Sequence, residues 1–487
     1  MTNTEDINKF EKQRHEKLAQ LKELGIDPYG SKYEGVELAE EIKARYIEDD
    51  PNQRAKAAGR IVLLRDIGKL IFITLRDSSG TIQVGLSKKL LEEQWQLAKL
   101  LELGDTIGSE GQLGKTKTGE ITIWVDNFAF LSKCLLNPPE KFHGLADIDQ
   151  RYRQRYVDLW ANPEVMERFR KRSAIINTIR EVLISKGFLE VETPMMQAIA
   201  GGAAARPFIT HHNTLDMDLF LRISPELFLK RLLVGGMEKV FEVNRNFRNE
   251  GLSRQHNPEF TMMEVYQAYA DYNVMMDLTE EIFATCIEKH CSGTSLEFDG
   301  RTIDFTCPWR RAKYADLLKE YAGCDIDDIA AVRKKAKELN IDEAGMDDAI
   351  VINDVFEATV EDNLVNPTFV IDYPAELCPL TKRKKDNPKI AERFEMYIAG
   401  MELANAYTEL NDPEVQEENF RIQLKGQDET MATMDNDFIT ALKYGMPPAG
   451  GLGIGIDRLV MVLTGVASIR DVILFPLLRT ISGEPKS

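Results

Sequence analysis

FRNEGLSRQHNPEFTMMEVY, residues 247–266, decides the fold. It continues the stretch VFEVNRNFRNEG, in which Phe241, Val243 and Phe247 alternate with Glu242, Asn244, Asn246 and Arg248, the period of two that belongs to a β-strand. Gly251 opens a loop, and after LSRQHNP the alternation resumes as EFTMMEVY. Phe260, Met262, Glu264 and Tyr266 then share one face over roughly 20 Å, at about 3.3 Å per residue. An arginine, a ring, a carboxylate and a phenol in a row suit a ligand carrying a ring, an anion and a cation. The same pattern also fits a hairpin closed by a buried salt bridge.

The C-terminal third repeats the arrangement. In RFEMYIAGMELANAYTELND, Asn405, Tyr407 and Glu409 alternate along one side of a strand. Glu402 is out of step, so a turn or bulge near Ala399 and Gly400 is needed for all of them to converge. Glu395 and Glu402 flank that turn, and two close carboxylates repel unless a cation such as Mg²⁺ lies between them; the alternative is two solvated strand-end glutamates. GGLGIGIDRLVMVLTG, 450–465, fails the dinucleotide fingerprint because Arg458 takes the last glycine position. Its glycine strand lets a ligand approach the backbone, and Arg458 is suited to pair bidentately with phosphate.

Around these stretches the chain has 487 residues, 43 % of them hydrophobic, enough for two or three domains. No apolar run is long enough to span a membrane, and the N-terminus MTNTEDINKFEKQRHEKL is polar, so a cytoplasmic protein without membrane association is expected. Cys134, Cys286, Cys291, Cys307, Cys324 and Cys378 are scattered, and neither His15 nor the pair His211 and His212 has zinc-ligand spacing. The net charge of −18 argues against a generic nucleic-acid coat, and no DNA partner is expected. Residues 54–145 nevertheless carry 13 Lys/Arg against 10 Asp/Glu.

That basic stretch has its own organisation. Residues 5–24 read as one or two amphipathic helical segments ending at Gly25, and about 46–59 as a linker. From Gly59 come GRIVLL, KLIFITLRD and GTIQVGLS, a helical KKLLEEQWQLAKLLEL, then DTIGSEGQLG and EITIWVDNFAFL, the element order of an OB-fold barrel. Phe72 is either an ordinary barrel residue or, with Arg65, Gln83 and Glu120, part of a platform for unpaired bases. A long helix follows over 164–186, stopped by Gly187, and a strand in FLEVETPMM ends at Pro194. Residues 309–365 alternate charged helical patches with acidic turns and carry no evident chemistry.

With GFLEVETPMM, FRNEGLSRQHNPEFTMMEVY and GLGIGIDRLVM in this order, the chain resembles the class II aminoacyl-tRNA synthetases, most closely their bacterial-type lysyl family. The flanks GGAAARPFITHHN and RISPELFLKRLLVGG resemble the same family, and the likeness spans nearly the whole chain. It implies an α+β protein: an N-terminal extension (1–55), an OB-fold anticodon-binding domain (56–145), and a catalytic domain (146–487) built on an antiparallel β-sheet flanked by helices. The three motifs would lie at about 187–196, 240–266 and 450–463.

The resemblance implies lysine activation by ATP with Mg²⁺, then transfer to tRNA(Lys), by a homodimer. Arg248 and Arg458 would be catalytic, and Arg248, Glu250, His256, Asn257, Phe260, Gly455 and Arg458 would bind ATP. Gly202, Glu226, Arg248, Glu264, Tyr266, Asn405, Tyr407 and Glu409 would bind lysine, Glu395 and Glu402 the metal, and Arg65, Phe72, Gln83 and Glu120 the anticodon. Tyr407 departs mildly from relatives with phenylalanine there. A lysine pocket needs a carboxylate at its end, because a buried ammonium is unfavourable unless paired. Neutral isosteres would leave Glu409 buried and unpaired. The competing readings are an aspartyl or asparaginyl enzyme of the same class, disfavoured by Glu409, and a catalytically inactive OB-fold nucleic-acid-binding protein.

Overall fold

The computed structural model describes residues 4–138, 145–202, 205–343, 345–424 and 434–479, with two compact units, Met1–Leu145 and Ala146–Ser487. In the first, a single helix spans Thr4–Glu23 and stops before Gly25, whose φ of 72° suits a residue without Cβ. Five strands follow: β1 (Arg54–Asp66), β2 (Leu70–Arg76), β3 (Thr81–Ser87), β4 (Thr106–Lys115) and β5 (Ile121–Ser132). They close into a barrel in the order β1-β2-β3-β5-β4, with short helices Lys88–Leu91 and Trp95–Ala98 between β3 and β4. This is the OB-fold element order.

Alternation decides which side chains fill the barrel. Ile71, Ile73 and Leu75 of β2 join Val84, Leu86, Ile107, Ile123 and Val125 in the interior. Phe72, one residue out of phase, lies half-buried on the outer face. It is not a barrel-core residue.

The second unit contains β6 (Leu189–Glu190), β7 (Met196–Gln197), β8 (Ile209–His212), β9 (Met217–Leu221), β10 (Lys239–Phe247), β11 (Glu259–Ala268), β12 (Ser295–Phe298), β13 (Arg301–Asp304), β14 (Arg310–Lys313), β15 (Thr368–Pro374), β16 (Ile390–Ile398), β17 (Met401–Thr408) and β18 (Ala449–Gly455). Among the described residues, eight form one sheet in the order β14-β15-β16-β17-β18-β11-β10-β6. Its pairings are antiparallel except at the two edges, β14 with β15 and β6 with β10. The sheet is therefore mixed at its margins, where the sequence suggests a purely antiparallel one.

The helix Pro163–Ser185 begins with Pro at its first turn and buries Ile175, Ile179 and Leu183. These pack with Met275, Ile282 and Phe283 of the helix Tyr272–His290 and with Leu452 and Ile454 of β18. Residues 314–364 build a smaller core around Tyr314, Val332, Val355 and Phe356. One sheet face is thus filled by the main apolar core; the other is covered by Leu227, Leu229 and Phe438 against Val240 and Tyr266 and by the 314–364 core against Val370 and Tyr397, and is open between these clusters.

Candidate active site

Pairing fixes what the open face presents. β10 and β11 pair with Glu242 opposite Glu264 and Asn246 opposite Phe260, and the Arg248 amide donates to the Pro258 carbonyl (2.9 Å). Arg248 therefore lies one residue beyond β10, in phase with Phe260, Met262 and Glu264. No salt bridge joins the two ends: the Arg248 Nε is buried without a partner, while Glu264 accepts from Ser224 Oγ (2.7 Å) and the Tyr266 hydroxyl (3.0 Å). The hairpin is therefore not closed by a salt bridge between Arg248 and Glu264.

β18 runs between β11 and β17 and meets them with glycines. Gly451 is opposite both Tyr266 and Tyr407, and Gly453 opposite both Glu264 and Asn405. A Cβ on Gly453 would come 2.6 Å from the Met262 methyl, and one on Gly451 would strike Glu409 Oε1 and lie 2.7 Å from Tyr266. These two positions, rather than Gly455, require glycine; a Cβ on Gly455 would make only ordinary contacts. The period-two glycines in AGGLGIG carried that signal.

Glu402 reaches the same face by a device slightly displaced from the expected one. Ala399 and Gly400 make the turn, with φ of 53° and 77°. The parity change, however, comes from a bulge opposite Met396 and Tyr397, where pairing steps from Ala404 to Glu402. Glu402 thereby joins Glu395 and Asn405.

These elements enclose a cleft of about 270 Å³. Arg248, Glu250, His256, Asn257, Phe260, Gly455 and Arg458 line it, together with Glu395, Glu402 and Asn405. The Arg248 guanidinium lies 5.2 Å from the centre of the Phe260 ring. Arg458 donates to the Glu402 carbonyl (2.6 Å) and its Nη2 faces His256 Nε2 at 3.0 Å. Because a guanidinium only donates, that nitrogen accepts and the imidazole is neutral; burial, then Arg458 and Arg248, hold its pKa below the usual histidine value. Asn257 is fixed by its bond to the Glu259 carbonyl (2.6 Å), and its Oδ1 is buried without a partner. Asp457 ties the cleft wall together by accepting from the Thr261 amide (2.7 Å) and pairing with Arg172 (2.6 Å).

Opposite the arginines, Glu395 Oε2 accepts from the hydroxyls of Tyr373 (2.8 Å) and Tyr397 (2.6 Å), and Oε1 pairs with Arg393. Tyr397 also reaches Glu361 Oε1 at 2.9 Å, so the segment that shows no chemistry in the sequence contributes a carboxylate, pushed up to about 7 by burial. Glu402 accepts from Asn405 (3.2 Å), and burial, then the charge of Glu395, raises its pKa. Two carboxylates in mutual repulsion beside paired arginines fit a Mg²⁺ ion, which takes one or two protein carboxylates and completes its shell with water and phosphate oxygens.

The remaining expected residues do not line that cleft. Glu264 and Tyr266 are buried further along β11, Glu409 just beyond the end of β17, and Glu226 at the start of the helix Glu226–Val234. Tyr407 sits opposite Gly451, and Gly202, with φ of +88°, is within 3.3 Å of the Glu226 Cβ for any side chain placed there. The sequence does not reveal Lys230. Fully buried, it lies 2.7 Å from Glu226 Oε1 and 2.5 Å from Glu409 Oε2. Glu409 is thus already paired, which corrects the expectation that only a ligand could pair it. Burial, then the charge of Glu226, pushes Glu264 up to about 7, and burial raises Glu409 against the pull of Lys230.

On the barrel, Arg65 sits opposite Phe72, its guanidinium 5.7 Å from the ring centre. Gln83 Oε1 accepts from Thr122 Oγ1 (2.8 Å), which also donates to the Glu120 carbonyl (3.1 Å). The structure adds Trp124, edge-on to Phe72 at 6.0 Å.

Residues 147–479 match the family model described as tRNA synthetases class II (D, K and N), and residues 55–131 the OB-fold nucleic acid binding domain. Among curated proteins, the chain is 54 % identical to the lysine–tRNA ligase of Carboxydothermus hydrogenoformans, over 98 % of this chain and 99 % of that protein. It is 51 % identical to that of Pelotomaculum thermopropionicum (98 % and 96 % covered) and 52 % identical to that of Syntrophomonas wolfei (98 % and 99 %).

Proposed function

The chain belongs to the class II tRNA synthetases of the D, K and N family, and from that premise we propose that it activates L-lysine with ATP and charges tRNA(Lys). One observation carries the choice of lysine. Among the described residues, Glu226, Glu264 and Glu409 are three buried carboxylates in contact with one ammonium, Lys230, while the Arg222 that faces Glu264 is already paired with Glu242, which leaves two negative charges for a ligand to balance when all three are ionised. Lysine brings two ammonium groups. Aspartate would need a cation where the pocket has glutamate, and asparagine would leave one carboxylate without a counter-charge. The inactive binding-protein alternative fits poorly with an intact Arg248, Arg458 and Glu395/Glu402 set.

In this reading the carboxylate of lysine, already ionised, attacks the α-phosphorus of ATP, and the bond to pyrophosphate breaks. No general base is required. Arg248, with its unpartnered Nε, holds the lysine carboxylate and the α-phosphate as charge shifts between them. Phe260 stacks on adenine, Glu250, His256, Asn257 and Gly455 frame the nucleotide, and Arg458 holds the far phosphates. Glu395 and Glu402 would hold Mg²⁺, which supplies charge neutralisation along the phosphates. Gly202 and Glu226 receive the α-ammonium, Asn405 the carboxylate, and Glu264, Tyr266, Tyr407 and Glu409 the ε-ammonium. A terminal ribose hydroxyl of the tRNA then attacks the lysyl carbonyl and AMP leaves, the rate coming from orientation and fixed charge.

The outer barrel face, with Arg65, Phe72, Gln83 and Glu120, is the anticodon reader. A homodimer is supported by large apolar side chains left exposed around the first motif: Ile184, Leu189, Met196 and Ile209. Service to translation assigns the enzyme to the cytoplasm. The deciding experiment is ATP–pyrophosphate exchange with lysine, aspartate, asparagine and arginine in parallel. Exchange with lysine alone is expected; exchange driven by another amino acid would overturn the pocket, and none with any would overturn the activity.

A further inference from the structure

We propose that Lys230 is a positioning residue for amino-acid selection: its ammonium holds one oxygen of Glu409, so that the other oxygen, above Gly451, is presented to the ε-ammonium of the substrate. The proposal rests on the lysine reading above and adds to it a residue that has no direct contact with the substrate.

Lys230 lies on the helix Glu226–Val234, one turn after Glu226, and is completely buried. A lysine there is a poor way to gain stability, since an apolar side chain of the same volume would avoid the desolvation of an ammonium and its partners. It stays charged nevertheless. Burial pulls its pKa down, but Glu226 and Glu409 together outweigh this and raise it above the ordinary lysine value. A permanently charged group, rather than a titrating one, is what a positioning role needs.

The two oxygens of Glu409 have different surroundings. Oε2 is 2.5 Å from Lys230 Nζ. Oε1 has no hydrogen-bond partner among the described residues, and it is the atom that a Cβ on Gly451 would strike. It therefore stands on the glycine face of β18, in line with Gly453 and Asn405, both of which line the cleft. The Glu409 amide is also anchored, donating to the Ala449 carbonyl at 2.8 Å. With backbone and Oε2 both held, the carboxylate has one orientation, and its unpartnered Oε1 faces Gly451, two residues along β18 from the cleft-lining Gly453.

Lys230 also sets the charge count. With it, two of the three carboxylate charges remain for the ligand. Without it, three would remain for a substrate with two ammoniums, and the pocket would take up a proton in place of binding productively.

The test compares Lys230→Met with the parent enzyme in lysine-dependent ATP–pyrophosphate exchange. The expected result is a lysine KM raised about 30-fold or more with the ATP KM within about twofold. An unchanged lysine KM, or lysine and ATP KM values rising together as a general structural defect would produce, overturns the proposal. Failure of the parent enzyme to use lysine at all would instead overturn the functional reading. If the variant does not fold, a crystal structure of the parent with lysine and a non-hydrolysable ATP analogue decides. Glu409 bridging Lys230 through Oε2 and the ligand ammonium through Oε1 is expected, and a ligand ammonium that displaces Lys230 or avoids Glu409 overturns it.

Discussion

Around β11, β17 and β18 the proposed lysine site is built on buried carboxylates, Glu264 and Glu409, set against the glycines of β18; on the barrel, Phe72, Gln83 and Trp124 are half-exposed and uncharged, with Arg65 resting over a ring. The first surface is electrostatically incomplete. Glu409 Oε1 and Arg248 Nε are desolvated without a partner, so a ligand would supply missing counter-charges in a low-dielectric site where each is worth most. The second surface is complete by itself and offers a ligand only added stacking and hydrogen bonds. Losses in the cleft should therefore be large and confined to activation, and losses on the barrel smaller and confined to tRNA.

The largest effect is expected at Arg248. Arg248→Ala should lower the rate of lysine-dependent exchange by about 10²–10³-fold, as removal of a preorganised donor to developing charge does in other active sites. Because the Nε has no protein partner, the melting temperature should hardly move. Full exchange activity in this variant would break the contrast, since the cleft would then not depend on the cation it leaves unpaired.

Next in size is a pH effect that the barrel should lack. Glu264, faced by Ser224, Tyr266, Glu226 and Arg222, has its pKa raised to about 7, first by burial and then by Glu226. The raised value means that the ligand-free pocket takes up a proton as pH falls through 7, whereas an ammonium binds the ionised form. Glu409, whose pKa burial pushes up to about 8, acts in the same direction, so lysine affinity should be full above about pH 8 and weaken below it, by up to about tenfold per pH unit for each titrating group. Isothermal titration of lysine between pH 6 and pH 8.5, in buffers of different ionisation enthalpy, would register the released proton. An affinity independent of pH would mean that the carboxylate is already ionised before lysine arrives.

The same contrast explains what could be read from the sequence. Strand alternation placed Arg248, Phe260, Glu264, Asn405 and Glu409 on one face because register in a sheet buried on one side is fixed by its apolar residues, and those alternate visibly here. The barrel order was legible for the same reason. Lys230 was not, because a lysine in LFLKRLL looks like any solvated helix residue until tertiary packing brings it against Glu409, 179 positions away. Glu361 escaped likewise, reaching Glu395 only through the Tyr397 hydroxyl. Trp124 depends on β3 and β5 closing the barrel in parallel, a pairing that no local pattern announces.

That closure yields the smallest expected effect. Phe72 is opposite Gly85 on β3, and Gly85 is opposite Trp124 on β5, so the two rings flank a glycine. A Cβ on Gly85 would come 2.8 Å from the Trp124 ring, which means that the glycine is what lets the indole lie across β3 towards Phe72. Phe72→Ala or Trp124→Ala should raise the KM for tRNA about tenfold, the loss of one base-stacking partner, while exchange without tRNA stays the same. Gly85→Ala should reproduce the Trp124→Ala defect without removing any aromatic group, because it displaces the indole. If aminoacylation by Gly85→Ala matches the parent while Phe72→Ala is impaired, the platform reduces to Phe72 alone, and Trp124 serves only to pack the barrel wall.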